Sequence, residues 1–122
     1  MKIRWLAYEA SDHGKTKRKE ISDRYRENNI ERIRERMMAR MKKARDYVDF
    51  VKSSPCADCG VSYQPCVMDL DHIRGVKKRG ISQMVDGGYT IPALKEEIAK
   101  CEVVCANCHR IRTHIRRRSN GN

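Results

Sequence analysis

Two Cys-x-x-Cys pairs, Cys56–Cys59 and Cys105–Cys108, each offer two sulfurs from one turn. Zinc is held tetrahedrally by such thiolates, and two pairs supply a complete set of four. The 45 residues between Cys59 and Cys105 exceed the span of an ordinary zinc finger, so a shared metal would staple the ends of an inserted unit. Beside the pairs stand residue types suited to phosphodiester hydrolysis. Asp71-His72 follows the first pair and His109 directly follows the last cysteine. The two histidines are 37 positions apart, yet one four-cysteine zinc would draw their segments together. Asp71 and His109 would then hold a catalytic divalent cation, which offsets charge on the phosphate and the leaving oxygen. His72 would be the free base that deprotonates water. Taken singly, Asp-His reads as a surface turn and His109 as the first residue of a helix. Their joint placement against both cysteine pairs favours chemistry.

The remaining candidates are weaker. Cys66 and Cys101 read as small buried apolar residues, with Cys101 a minor rival as ligand. Pro55-Cys56-x-x-Cys59 invites comparison with zinc deaminases, but no upstream His-x-Glu accompanies it, since His13 is followed by Gly14-Lys15. Asp69 shares a strand face with Asp71 and reads either as a supporting partner or as an exposed acid. His114 reads as a phosphate or solvent contact.

These residues need elements to carry them. Lys15 to Lys52 contains no Gly or Pro and is rich in helix formers. Ile30, Ile33, Met37, Met41, Ala44, Val48 and Val51 recur at steps of three or four, a single helical face. Asn28 followed by Glu31 has the spacing of a capping box, which predicts a break near Asn28-Asn29. Ser53-Ser54-Pro55 stops the helix, and Gly60 permits the tight turn of a knuckle. A strand is predicted over 66–71 and a basic loop over 75–80. A helix is predicted from Thr90-Ile91-Pro92 to about Lys100, and a last helix over 108–117.

The chain has 122 residues, a formal net charge of +11 and only 39% hydrophobic residues, with one Trp and one Phe. So short and charged a chain builds little core and needs a staple. Residues 1–52 hold 16 Lys/Arg against nine Asp/Glu, a net of +7, and no Cys; residues 53–122 hold 11 against seven, a net of +4, and all six Cys. A basic helical arm over 1–52 and a cysteine domain over 53–122 follow. No apolar run approaches the roughly 20 residues that span a bilayer, and Met1 to Ala10 lacks the apolar core of a signal peptide. The chain is therefore expected to be intracellular, with reduced thiols. The charge calls for a polyanion; nucleic acid is the simplest, and an acidic membrane also fits.

Cys56-x-x-Cys59, then Met68-Asp69-Leu70-Asp71-His72-Ile73, then Cys101-Glu-Val-Val-Cys105-Ala-Asn-Cys108-His109-Arg110 resembles the HNH endonucleases, above all the small kind found in phage and bacterial genomes. The resemblance covers about residues 54–117. It implies a ββα-metal fold with a four-cysteine structural zinc at Cys56, Cys59, Cys105 and Cys108. It also implies His72 as general base and Asp71 and His109 as ligands of Mg²⁺ or another divalent metal. The products it implies carry 5′-phosphate and 3′-hydroxyl ends. The middle Asn of the family, which steadies the loop carrying the base, falls where this chain has Lys100. With Lys100 there the loop is braced differently or Asn107 substitutes, though Asn107 reads more simply as a knuckle residue.

The expectation is an α+β, zinc-stapled ββα-metal domain behind a long basic helix, cutting double-stranded DNA. Arg74, Lys77, Lys78 and Arg79 after the base, and Arg110, Arg112, Arg116 and Arg117 after His109, would contact the backbone. The apolar stripe of the arm would dock on the domain or pair two chains. The alternatives are a non-catalytic zinc-ribbon module that binds nucleic acid, favoured by Lys100, and a protein-interaction zinc module, disfavoured by the charge.

Overall fold

The computed structural model describes residues 6–8 and 10–120. It is an α+β chain that divides into two compact units, Met1–Met37 and Met38–Asn122. A single helix, α1 (Asp12–Lys52), runs through the division. Ser11 caps its start, the hydroxyl oxygen accepting the Gly14 N–H at 3.1 Å. The predicted break at Asn28-Asn29 is absent. Asn29 Nδ2 donates to the Tyr25 carbonyl at 2.8 Å instead, bonding back to the preceding turn and leaving the helix continuous.

In the first unit the helix is solvated. Ile21, Tyr25, Ile30, Ile33 and Met37 are exposed, and Lys17–Glu20 and Glu31–Arg34 pair along the surface. In the second unit the same stripe goes inside. Ala44 and Val48 are buried with Ile81, Met84, Val85 and Leu94, and Tyr47, Leu70, Tyr89 and Ile98 pack around them. The boundary between the units thus precedes the compositional one at residue 53, because α1 gives about its last four turns to the core.

After the helix stops, a knuckle of residues 56–60 turns at Gly60, whose φ of +72° suits glycine. A short 3-10 turn (Pro65–Val67) leads into β1 (Met68–His72). Two helices follow, α2 (Ile81–Asp86) and α3 (Ile91–Ile98), then β2 (Cys101–Cys105) and α4 (Ala106–Ser119). The strand begins two residues later than predicted, which leaves Cys66 exposed on the 3-10 turn and not buried. Cys101, expected at a helix end, opens β2 half-buried. Thr90 caps α3 by accepting the Ala93 N–H, as its spacing to Pro92 predicts.

The strands pair antiparallel, Met68 opposite Cys105 and His72 opposite Cys101. Met68 and Val104 are fully buried with Cys56 and Cys105 in a second small core. Helix α4 packs on both strands. Among the described residues no helix is long and apolar enough to cross a membrane.

Candidate metal and active site

The knuckle is bolted to β2 by its backbone. The Ala57 N–H donates to the Val103 carbonyl at 2.8 Å and the Cys105 N–H to the Cys56 sulfur at 3.3 Å. Cys105 in turn caps α4, its sulfur accepting the Cys108 N–H at 3.4 Å. The result brings the four sulfurs of Cys56, Cys59, Cys105 and Cys108 within 4.8 Å of one another. A tetrahedral zinc with Zn–S of about 2.3 Å asks for sulfurs roughly 3.8 Å apart, so the donor set fits. Among the described residues it is the one group of three or more such donors. The thiols also compete for protons. Burial pushes Cys56 up, but backbone hydrogen bonds from Cys59, Cys105 and Asp58 outweigh it and hold the thiol at about 6. The Cys105 side chain, with burial, pushes Cys108 up to about 12. Four like-charged sulfurs this close need a cation to be thiolates together.

Alternation along β1 turns Asp69 and Asp71 toward α4, where His109, Arg112 and Arg116 recur at helical spacing. His109 Nδ1 lies 2.9 Å from Asp69 Oδ2, and its Nε2 lies 3.6 Å from Asp71 Oδ1. Asp69 is thus paired with His109 while its side chain stays 45% exposed. A carboxylate accepting one ring N–H leaves the other nitrogen's lone pair free, which is how metal-binding histidines are commonly oriented. Asp71 is buried, and Arg116 donates to both its oxygens at 3.0 and 2.7 Å, with Arg112 adding a bond of 2.9 Å. The Arg116 hydrogen bonds, against the cost of burial, hold the Asp71 carboxyl down at about 2. A divalent cation between Asp71 and His109 has suitable O and N donors but contends with Arg116 for the same oxygen.

On the opposite face His72 Nε2 lies 3.2 Å from Glu97 Oε1. Glu97 also accepts from the Lys78 N–H at 3.0 Å and from Lys100 Nζ at 2.7 Å. Lys100 reaches on to the Val76 carbonyl at 2.7 Å, and its own carbonyl takes the N–H groups of Ile73 and Arg74. Lys100 therefore braces the loop after His72, while Asn107 is exposed in the first turn of α4. The sequence left Glu97 unremarked. Its one signal was its place three residues after Leu94, on the buried face of α3.

His72, His109 and Asp69 line one cleft of 780 Å³. Its lining is net basic: Lys77, Lys78 and Arg79 from the loop and Arg45 and Lys52 from α1, against Asp49, Asp69 and Asp86. Arg110 and Arg117 line a second groove of 540 Å³ with Thr113 and His114, and His109 and Asp69 border that one too. The other expected backbone contacts are engaged inside the protein. Arg74 donates to the Ala99 carbonyl at 2.6 Å. Arg112 grips Asp58 at 2.7 and 2.6 Å, Glu102 at 3.3 Å and Asp71, tying knuckle, strand and helix together. Arg116 lies on Asp71 with its side chain 48% exposed.

No family model, no curated protein and no solved structure matches the chain.

Proposed function

We propose that this chain is a metal-dependent endonuclease of the HNH kind, with zinc at Cys56, Cys59, Cys105 and Cys108 as its structural staple and DNA as its substrate. One observation carries the reading. His72 and His109 open on one basic cleft, and each ring has a carboxylate on one nitrogen, Glu97 for the first and Asp69 for the second. Two histidines so placed divide into a base and a ligand. Asp71 and His109 would hold a divalent metal, Mg²⁺ or its like, which when bound offsets charge on the phosphate and the departing oxygen. His72 takes the proton of the attacking water through Nδ1, which has no protein partner among the described residues. Lys77, Lys78 and Arg79 hold the phosphate backbone at the mouth of the cleft.

The test is nicking of supercoiled plasmid in Mg²⁺ or Mn²⁺ by zinc-loaded protein. His72→Ala should lower the rate about 100-fold or more while DNA affinity survives, because a base acts on the transition state and little on binding. Undiminished nicking by His72→Ala would end the assignment. A second reading, a nucleic-acid-binding zinc module without catalysis, is favoured by one observation: Arg112 and Arg116 already neutralise Asp71. It predicts DNA binding, no nicking in any divalent metal, and no metal uptake beyond one zinc.

A further inference from the structure

Glu97 is a carboxylate only 3% exposed, in a chain with little core to spare. Burying a charge is costly unless it is fully hydrogen-bonded. Here it is. One oxygen, Oε1, takes both the His72 ring and the Lys78 N–H, and the other takes Lys100. If structure alone were at stake, an apolar residue beside Leu94 would serve with less desolvation. The three partners instead share a location: the histidine at the end of β1, the basic loop that follows it, and the lysine that braces that loop.

We infer that Glu97 is the positioning residue for His72, fixing the ring as its Nε2–H tautomer and coupling it to the phosphate-binding loop, with Lys100 keeping the carboxylate in place. The inference rests on the endonuclease reading and adds a residue to it. A carboxylate can only accept, so the ring nitrogen facing it carries the proton and the lone pair is left on Nδ1. When Nδ1 takes a proton from water, the imidazolium is paired at once with a fixed negative charge that needs no rearrangement. Because the same oxygen holds the Lys78 N–H, the base and the loop bearing Lys77, Lys78 and Arg79 share one anchor. A misplaced loop would be a misplaced base.

The test has one readout that does not depend on cleavage. Long-range ¹⁵N–¹H correlation spectra of zinc-loaded, histidine-labelled protein at about pH 8, above the ordinary histidine range, report each ring's tautomer. His72 should be the Nε2–H form in the wild type and a mixture in Glu97→Ala. In plasmid nicking, Glu97→Ala should lower kcat about 100-fold, a larger loss than the one in DNA affinity that follows from freeing the Lys78 loop. Should Glu97→Ala lose zinc or fold, Glu97→Gln, of the same size, takes its place. Its amide must turn a donor toward either Lys100 or His72, so kcat should again fall. A wild-type His72 in the Nδ1–H form overturns the proposal whatever the variants do. A folded Glu97 variant with wild-type kcat overturns it while leaving the endonuclease reading intact. A wild type that never nicks, yet shows the Nε2–H form, overturns that reading, and Glu97 is then a structural anchor only.

Discussion

Arg116 holds both oxygens of Asp71, at 3.0 and 2.7 Å, from a position two turns beyond His109 on α4. The arginine supplies the positive charge that a cation at Asp71 and His109 would supply, so the two compete. Arg116→Gln should therefore bind divalent metal more tightly. A charge-assisted hydrogen bond worth roughly 1.5 kcal/mol corresponds to about a tenfold shift in metal affinity. Titration of zinc-loaded protein with Mn²⁺, followed by calorimetry, measures it. Unchanged affinity would make the Asp71–Arg116 pair structural and unconnected to metal.

The cysteine cluster predicts one tightly bound zinc per chain. Apparent binding energies of roughly 10–16 kcal/mol for structural zinc sites exceed the whole stability of most domains of this size. Cys105→Ser removes a sulfur that also caps α4 and lies in the core with Met68 and Val104. It should abolish zinc content and the cooperative unfolding of the unit from Met38 onward, as seen by metal analysis and circular dichroism. A folded variant without metal would refute the staple.

Acid should weaken the fold through two buried carboxylates. Glu97 falls from an ordinary 4.5 to about 2, chiefly through the Lys100 hydrogen bond and against the cost of burial. Asp71 falls from 3.8 to about 2 through Arg116. A carboxyl with a lowered folded pKa stabilises fully above its unfolded value and loses that contribution as pH falls through the folded one. The loss belongs between about pH 4.5 and 2. Glu97→Gln should flatten the pH dependence in that window while remaining less stable at neutral pH. Urea midpoints across the range check it, and an identical slope in wild type and variant would contradict it.

The first unit can be tested only by cutting in the right place. Removing residues 1–52 would take Ala44 and Val48 out of the core and unfold the rest. Removing residues 1–37 leaves that core whole and keeps the zinc. If the arm lies along DNA through its basic surface, the shortened chain should bind more weakly. The slope of log affinity against log salt should flatten by about 0.9 for every phosphate the arm had neutralised. An unchanged slope would assign the exposed stripe of Ile30, Ile33 and Met37 to another partner.

How much of this was legible beforehand divides by the kind of signal. The cysteine pairs stood out because each Cys-x-x-Cys spacing is tight and the four sulfurs do come together; His72, Asp71 and His109 were picked for their residue types and their places beside those pairs. The stripe from Met41 to Val51 was readable as a face, but its change from exposed to buried was not, since periodicity is identical on either side of Met37. Helix α2 is six residues between glycines, too short for a periodic signal, and no element was predicted there. Arg112 and Arg116 read as DNA contacts because an arginine run carries no mark of which members pair with acids of the protein itself. That depends on β1 placing Asp71 opposite them. Glu97 was hidden for the same reason, its partners lying 25 and 19 residues away.

The pairing of Met68 with Cys105 and His72 with Cys101 has a further consequence for how such a chain can vary. One residue inserted in either strand would exchange the two faces, sending Asp71 to Glu97 and His72 to the arginines, and would pull Cys105 out of reach of Cys56. The ladder is therefore a reading frame that tolerates no indels. Between the two strands, length can change inside the stretch from His72 to Cys101, where a longer loop costs little closure entropy. Natural or engineered diversity should concentrate in that interval, the one that carries Lys77, Lys78 and Arg79. That loop could then drift while the cysteine cluster and the His72, Asp71 and His109 positions stayed in register.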